Sequence, residues 1–198
     1  MKRDSVLLLG GTGFIGSALG ERLAKEGIPF QSIGRHDAVR LEQLLPQCNT
    51  VVHLASATTP GASAKHPDLE LGNITLTLRL LALLQTQPET HLIYFSSGGT
   101  VYGNPDRLPV TEDTPIVPLS NYGAGKAAQE AFCQAFRTKG HAVTILRPSN
   151  AYGPGQTMRQ SFGLIRTMLE CACLGTPLDI WGDGGNIRDF IYIEDIVE

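Results

Sequence analysis

Residues Val6 to Gly16 read VLLLGGTGFIG, four aliphatic side chains in a row that run into glycines at Gly10, Gly13 and Gly16. An aliphatic run of this kind suits a strand buried on both faces of a parallel sheet. Ile15, Leu19 and Leu23 then fall at helical spacing, with Gly27 placed as the stop. A strand that turns through spaced glycines straight into a helix is an anion cradle. Gly10 permits the tight turn, Gly13 lets a pyrophosphate approach the backbone, and Gly16 lets the helix pack on its strand. The amides of the first helical turn then bind phosphate without a basic side chain. The pattern predicts a dinucleotide site, and with it a fold of alternating strands and helices.

The remainder of the chain alternates as that fold requires. Strands are predicted at Phe30–Ile33, Val51–Ala55, Leu92–Ser96, Val143–Leu146 and Leu178–Trp181. Helices are predicted around Leu41–Leu45, over Leu71–Leu84, from Asn121 to near Gly140, and over Phe162–Leu174. Between Arg35 and Thr50 a strand is short or absent. The alternation predicts an α/β fold, a doubly wound parallel sheet with helices on both faces. Polar turns follow the strand ends at Leu9, Ser96 and Arg147, which in such a sheet face one cleft. Ser56 to Ala64, small-residued and carrying Pro and Gly, is predicted as a binding loop, and Asn104 to Pro118 as a surface excursion. Asn73 stands among apolar neighbours on its helix and needs partners there.

Composition closes off several classes. At 198 residues there is room for one domain with a sizeable core, or one and part of a second. A net charge of −3 carries no footprint for nucleic acid. The basic start Met1-Lys2-Arg3 leads into an apolar run that breaks at Gly10-Gly11, too short for an export signal. No stretch approaches the roughly 20 apolar residues of a membrane span, so a soluble protein without a membrane partner is expected. Cys48, Cys133, Cys171 and Cys173 have neither zinc nor disulfide-framework spacing, which predicts reduced thiols in a cytoplasmic protein and no metal. His53, inside an apolar strand, is read as a satisfied interior histidine.

Two features bear on chemistry. The second strand ends at Gly34-Arg35, where a dinucleotide site usually carries an acid for the ribose hydroxyls; an arginine there could instead take a 2′-phosphate, so NAD and NADP both stay open. Tyr122 and Lys126 are four residues apart, on one face of a helix, where an ammonium favours its neighbour's phenolate. Bringing a tyrosine from its ordinary pKa to about 7 takes roughly 4 kcal/mol of preferential stabilisation.

Together these residues resemble the extended short-chain dehydrogenase/reductases, and within them the NAD-dependent nucleotide-sugar epimerases and dehydratases. Gly10-Gly11-Thr12-Gly13-Phe14-Ile15-Gly16 is similar to the GxxGxxG turn, His53-Leu54-Ala55 to the family's strand signature, and Tyr122 with Lys126 to its YxxxK pair. Leu146 to Pro154 is similar to the segment joining cofactor and sugar sites, and Arg188 to Asp195 to the RDF(I/V)(Y/H)VxD stretch. The resemblance implies a Rossmann-like dinucleotide domain over 1–147 and a partial nucleotide-sugar region over 148–198. It implies NAD, or NADP, held by Gly10, Gly13, Phe14, Ile15, Gly16, Arg35, Leu54, Ala55, Tyr122, Lys126 and Pro148. Tyr122 would be the general base for a sugar hydroxyl, and Lys126 would bind the nicotinamide ribose and depress that tyrosine's pKa. Asn150 and Arg188 would hold the diphosphate of a nucleotide-diphosphate sugar, Asn73 would orient the active-site segment, and two copies would pair through helices as a homodimer. The implied reaction is 4-epimerisation through a 4-keto sugar, with reduction, dehydration or cofactor binding without turnover as alternatives.

Two departures stand out. Gly98 occupies the place of the family's usual serine or threonine, so Thr100 or Ser97 is expected to supply the catalytic hydroxyl. Gly98-Gly99 also lacks the carboxylates that dehydration requires. The family usually continues well past the position of Glu198, so an incomplete sugar lobe is expected.

Overall fold

The computed structural model describes residues 5–157, 163–180 and 182–198. Five strands form one parallel sheet: β1 (Val6–Leu9), β2 (Phe30–Ile33), β3 (Thr50–His53), β4 (His91–Phe95) and β5 (Val143–Leu146), in the order β2-β1-β3-β4-β5. From β1 the chain first steps to one side and then crosses to the other. The switch point therefore lies between β1 and β3, where Leu9 pairs with His53, and the carboxyl ends beside it form the ligand crevice of such sheets.

Strand alternation divides the core in two. Leu7, Leu9, Val51, Leu92 and Tyr94 pack with Leu41 of α2 (Ala38–Leu44), Leu80 and Leu84 of α4 (Leu69–Leu84), and Cys133 and Phe136 of α6 (Asn121–Arg137). Leu8, Val52 and Phe95 pack on the other side against Ile15, Leu19 and Leu23 of α1 (Phe14–Lys25), joined by Ile196 of α8 (Ile193–Val197). Gly27, at φ +70°, ends α1 as expected. No strand lies between Arg35 and Cys48; α2 and a 3-10 turn at Leu45–Gln47 occupy that stretch.

Several expectations need correcting. The loop predicted over Ser56 to Ala64 contains α3 (Pro60–Lys65), started by Thr59, whose Oγ1 accepts from the Ala62 amide at 3.3 Å. The turn after β4 holds a short helix, α5 (Gly98–Val101). The turn predicted after Arg147 contains β6 (Asn150–Tyr152), paired in parallel with β7 (Phe190–Tyr192) as a separate two-stranded sheet. Three-residue strands carry too little alternation to be read locally. The predicted strand at Leu178–Trp181 is absent over 178–180, where Ile180 is 68% exposed and has no sheet to cover; Trp181 lies outside the described residues. The predicted helix at Phe162–Leu174 is α7 (Leu164–Leu174), and Phe162 also lies outside them. Among the described residues no helix is long and apolar enough to cross a membrane.

Candidate active site at the sheet's carboxyl edge

The glycine turn is built by close approach. Gly10 sits at φ +94°, and a Cβ there would lie 2.5 Å from the Ala55 amide nitrogen, so the turn and the start of the β3 loop press together. A Cβ on Gly16 would meet the Gly10 carbonyl at 2.5 Å, which seats α1 on its strand. Gly13 is the N-cap of α1 and brings no capping side chain, leaving the first-turn amides around Phe14, Ile15 and Gly16 without an intrahelical acceptor. Gly10, Gly13, Phe14, Ile15, Gly16, Leu54 and Ala55 therefore come together around the N-terminus of α1, where bare backbone without a capping side chain suits a phosphate. β2 ends at Ile33, so Gly34 does occupy the position after the strand. Arg35 is exposed beyond it and donates through Nη1 to the Ser56 carbonyl at 3.1 Å, tying this rim to the loop after β3.

Between α4 and α6 runs a buried polar chain. Asn73 Oδ1 accepts from the Ala57 amide at 2.7 Å, while its Nδ2 donates to Thr58 Oγ1 at 3.0 Å and to Glu70 Oε2 at 2.9 Å. It thus holds the β3 loop in place. Thr77 Oγ1 faces the Asn73 carbonyl and Gln129 Oε1 at 3.1 and 2.8 Å, and Gln129 Nε2 donates to the Gly125 carbonyl. With the one hydroxyl proton committed to those acceptors, His53 Nε2, 2.9 Å away, must be the donor. Burial, with the charge of Lys126, lowers the pKa of His53 to about 3, so it is a neutral interior histidine; the expectation of full satisfaction is corrected at Nδ1, which is buried without a hydrogen-bond partner.

Ser120 caps α6, its Oγ accepting from the Gly123 amide at 3.1 Å. Tyr122 and Lys126 follow on the helix face turned to the sheet. Lys126 is buried, with Nζ donating to the Phe95 carbonyl at 2.9 Å and lying 6.0 Å from the Tyr122 ring centre. Burial brings its pKa down to about 8, against the pull of Glu70 and Glu130. The expectation that Lys126 depresses the pKa of Tyr122 is overturned for the protein without ligands. Burial, followed by the Glu70 carboxylate, pushes the phenol up to about 12. Glu70 was not singled out from sequence; its place three residues before Asn73, on the same helix face, was the available signal.

Beside this pair opens a crevice of about 990 Å³ whose lining includes Gly98, Thr100, Pro148, Asn150, Arg188 and Asp189. Tyr122 and Lys126 do not line it. They stand behind α5, where Gly123 is so close to the Thr100 carbonyl that a Cβ would lie 2.5 Å from it. Thr100 Oγ1 is buried and without a hydrogen-bond partner. Ser97 is the N-cap of α5 and makes no capping bond. Asn150 Nδ2 donates to the Asp189 carbonyl at 2.8 Å, bracing β6 against the start of β7, and Arg188 is exposed. The floor is fixed by Arg147, whose guanidinium is paired with Glu130 at 2.7 Å and donates to Tyr102 Oη at 2.8 Å.

A model of the NAD dependent epimerase/dehydratase family matches residues 6–198. The UDP-glucose 4-epimerase of Mycolicibacterium smegmatis is 28% identical over 97% of this chain and 70% of its own length. The structure of a UDP-glucose 4-epimerase from Thermotoga maritima with UDP-glucose superposes with a TM-score of 0.89 at 28% identity, covering 98% of this chain and 71% of that one. That of the Thermus thermophilus UDP-glucose 4-epimerase in complex with NAD does so at 0.88 and 27% identity, covering 98% and 72%.

Proposed function

Because the chain belongs to the NAD dependent epimerase/dehydratase family, we propose that it serves as a nucleotide-sugar 4-epimerase. One observation carries the reading: a Tyr122–Lys126 pair on α6 stands directly behind the α5 wall of a crevice lined by Thr100, Asn150 and Arg188. The open glycine cradle of β1 and α1 fits a dinucleotide's pyrophosphate, and relatives solved with NAD support NAD as that dinucleotide. When bound, it supplies the acceptor and donor of a hydride at the sugar carbon.

The chain's own residues do the rest by positioning and proton transfer. Tyr122 takes the proton of the sugar's 4-hydroxyl and later returns it. Lys126, fixed by the Phe95 carbonyl, orients the ribose beside it and stabilises the phenolate once ligands are in place. Thr100, with an unused hydroxyl at the crevice wall, hydrogen-bonds the reacting oxygen, and Ser97 is its nearest substitute. Asn150 and Arg188 bind the diphosphate. Residues 1–147 form the dinucleotide domain and 148–198 part of the sugar-binding region. Arg35 keeps NADP as the second cofactor candidate, in keeping with a reductase as the second reading. Exposed Leu71, Leu78 and Phe132 on α4 and α6 support a homodimer through those helices, and the four free cysteines support a cytoplasmic setting.

The test is to identify any nucleotide that purifies with the chain, then to incubate it with UDP-, GDP- and dTDP-sugars. Conversion without added reductant is expected. Tyr122→Phe should lower turnover by about 10²-fold or more, and Thr100→Val combined with Ser97→Ala should lower it while binding persists. Intact turnover in the double variant would remove the hydroxyl assignment; binding with no conversion by the parent chain would favour a cofactor-binding regulator.

A further inference from the structure

Glu70 is only 6% exposed, and its carboxylate is directed at Gly125, a position on α6 with no side chain. A Cβ on Gly125 would lie 2.5 Å from Glu70 Oε2 and 2.9 Å from its Cδ, so the glycine is the seat of the carboxylate. Tyr122, Gly125, Lys126 and Gln129 share one helix face, which puts the anion beside both members of the pair. One oxygen accepts from Asn73 Nδ2; Oε1 is buried with no hydrogen-bond partner. An isolated ion so placed is costly, and Lys126 is the opposite charge facing it. The other groups turned to this pocket are Tyr94 and His53 from the sheet, and Glu130 and Cys133 from α6. His53 is neutral, and Glu130 is committed to Arg147.

We propose that Glu70 is a positioning residue of the active site: the buried counter-charge that keeps Lys126 an ammonium and Tyr122 a phenol until substrate and cofactor are bound. The negative charge favours the protonated form of each neighbour, in line with the upward push it exerts on both. Ligand binding would then have to overcome Glu70 before the phenolate can form, so the base is unmasked only in the loaded site. This assignment rests on the reading of Tyr122 and Lys126 as the proton-handling pair.

The experiment follows the Cζ resonance of Tyr122 in 13C-tyrosine-labelled protein without ligands, assigned against Tyr122→Phe, into the alkaline range where the amide spectrum shows the fold intact. In Glu70→Gln the resonance should begin to ionise at lower pH than in the parent, by roughly one pH unit. Should Glu70→Gln not fold, Glu70→Met, of similar length with no polar atom to strand, should give the same downward displacement. An unchanged or higher onset overturns the proposal, as does failure of both variants to fold, which would make Glu70 a structural residue. In turnover, the acidic limb of kcat/KM should move to lower pH by the same displacement. Absence of turnover with any sugar would remove the epimerase reading and leave the resonance shift to decide the role of Glu70.

Discussion

At Gly98 the backbone runs so close to the segment after β5 that its amide donates to the Pro148 carbonyl at 2.8 Å and a Cβ would sit 2.5 Å from the Arg147 carbonyl. A side chain cannot be added there without moving one of the two segments. Gly98→Ser, which restores the residue type usual in the family, should therefore destabilise the protein by about 1–3 kcal/mol, as a urea denaturation curve would show, and should not raise turnover. From sequence, Gly98 reads as a missing hydroxyl. The structure adds that the place is sterically closed, because the closure comes from Arg147, distant in the chain and invisible to local reading. Tyr122 shows the same limit to local reading. Its partner Lys126 was legible from spacing, but the direction of its pKa depends on burial and on Glu70, which α4 delivers from elsewhere in the chain.

The elements divide in the same way. β1 to β5, α1, α4 and α6 were legible because long apolar runs and helical periods report their buried faces directly. α5 and β6 were not, since GGTV and NAY carry neither an apolar run nor a helical period, and the three residues of β7 are too few to show an alternation. Arg147 joins the loop after β5 to α6 through Glu130, to the end of α5 through Tyr102 Oη, and to the excursion through the Glu112 carbonyl at 3.1 Å. Its side chain is 19% exposed and that of Glu130 only 4%, so removing the cation leaves a buried carboxylate unpaired. Arg147→Ala should lose about 3–5 kcal/mol of stability. Glu130→Ala added to it should cost less than the sum of the single changes, which a double-mutant cycle in chemical denaturant would measure. Lysine should not rescue, for it lacks the planar fork that spans both carboxylate oxygens.

For the whole molecule, the sheet's architecture followed from the alternation of strand and helix, whereas the return of α8 onto α1 through Ile196 could not, because it depends on the path of the chain through the second sheet. On the opposite face of the sheet the polar chain between α4 and α6 is buried in its own right, and that burial makes global stability respond to pH through groups at the core. His53 titrates near pH 3 in the folded protein and near 6.5 when unfolded. Between those values only the unfolded chain binds this proton, so stability falls as the pH drops from about 6.5 to about 3, with a slope of up to about 1.4 kcal/mol per pH unit. The difference between the curves of the parent and of His53→Gln isolates this contribution. That variant keeps a nitrogen donor for Thr77 without a titrating ring, and its stability should fall less steeply over the same window. Lys126 acts at the other end: depressed to about 8 when folded against 10.5 when unfolded, it makes stability rise with pH between those values. Lys126→Met should abolish that rise, since a neutral side chain of similar length has no proton to release on folding. Thermal melts of the parent and both variants from pH 4 to pH 10 would separate the two contributions, and parallel curves throughout would mean that neither group is sealed as the structure has it.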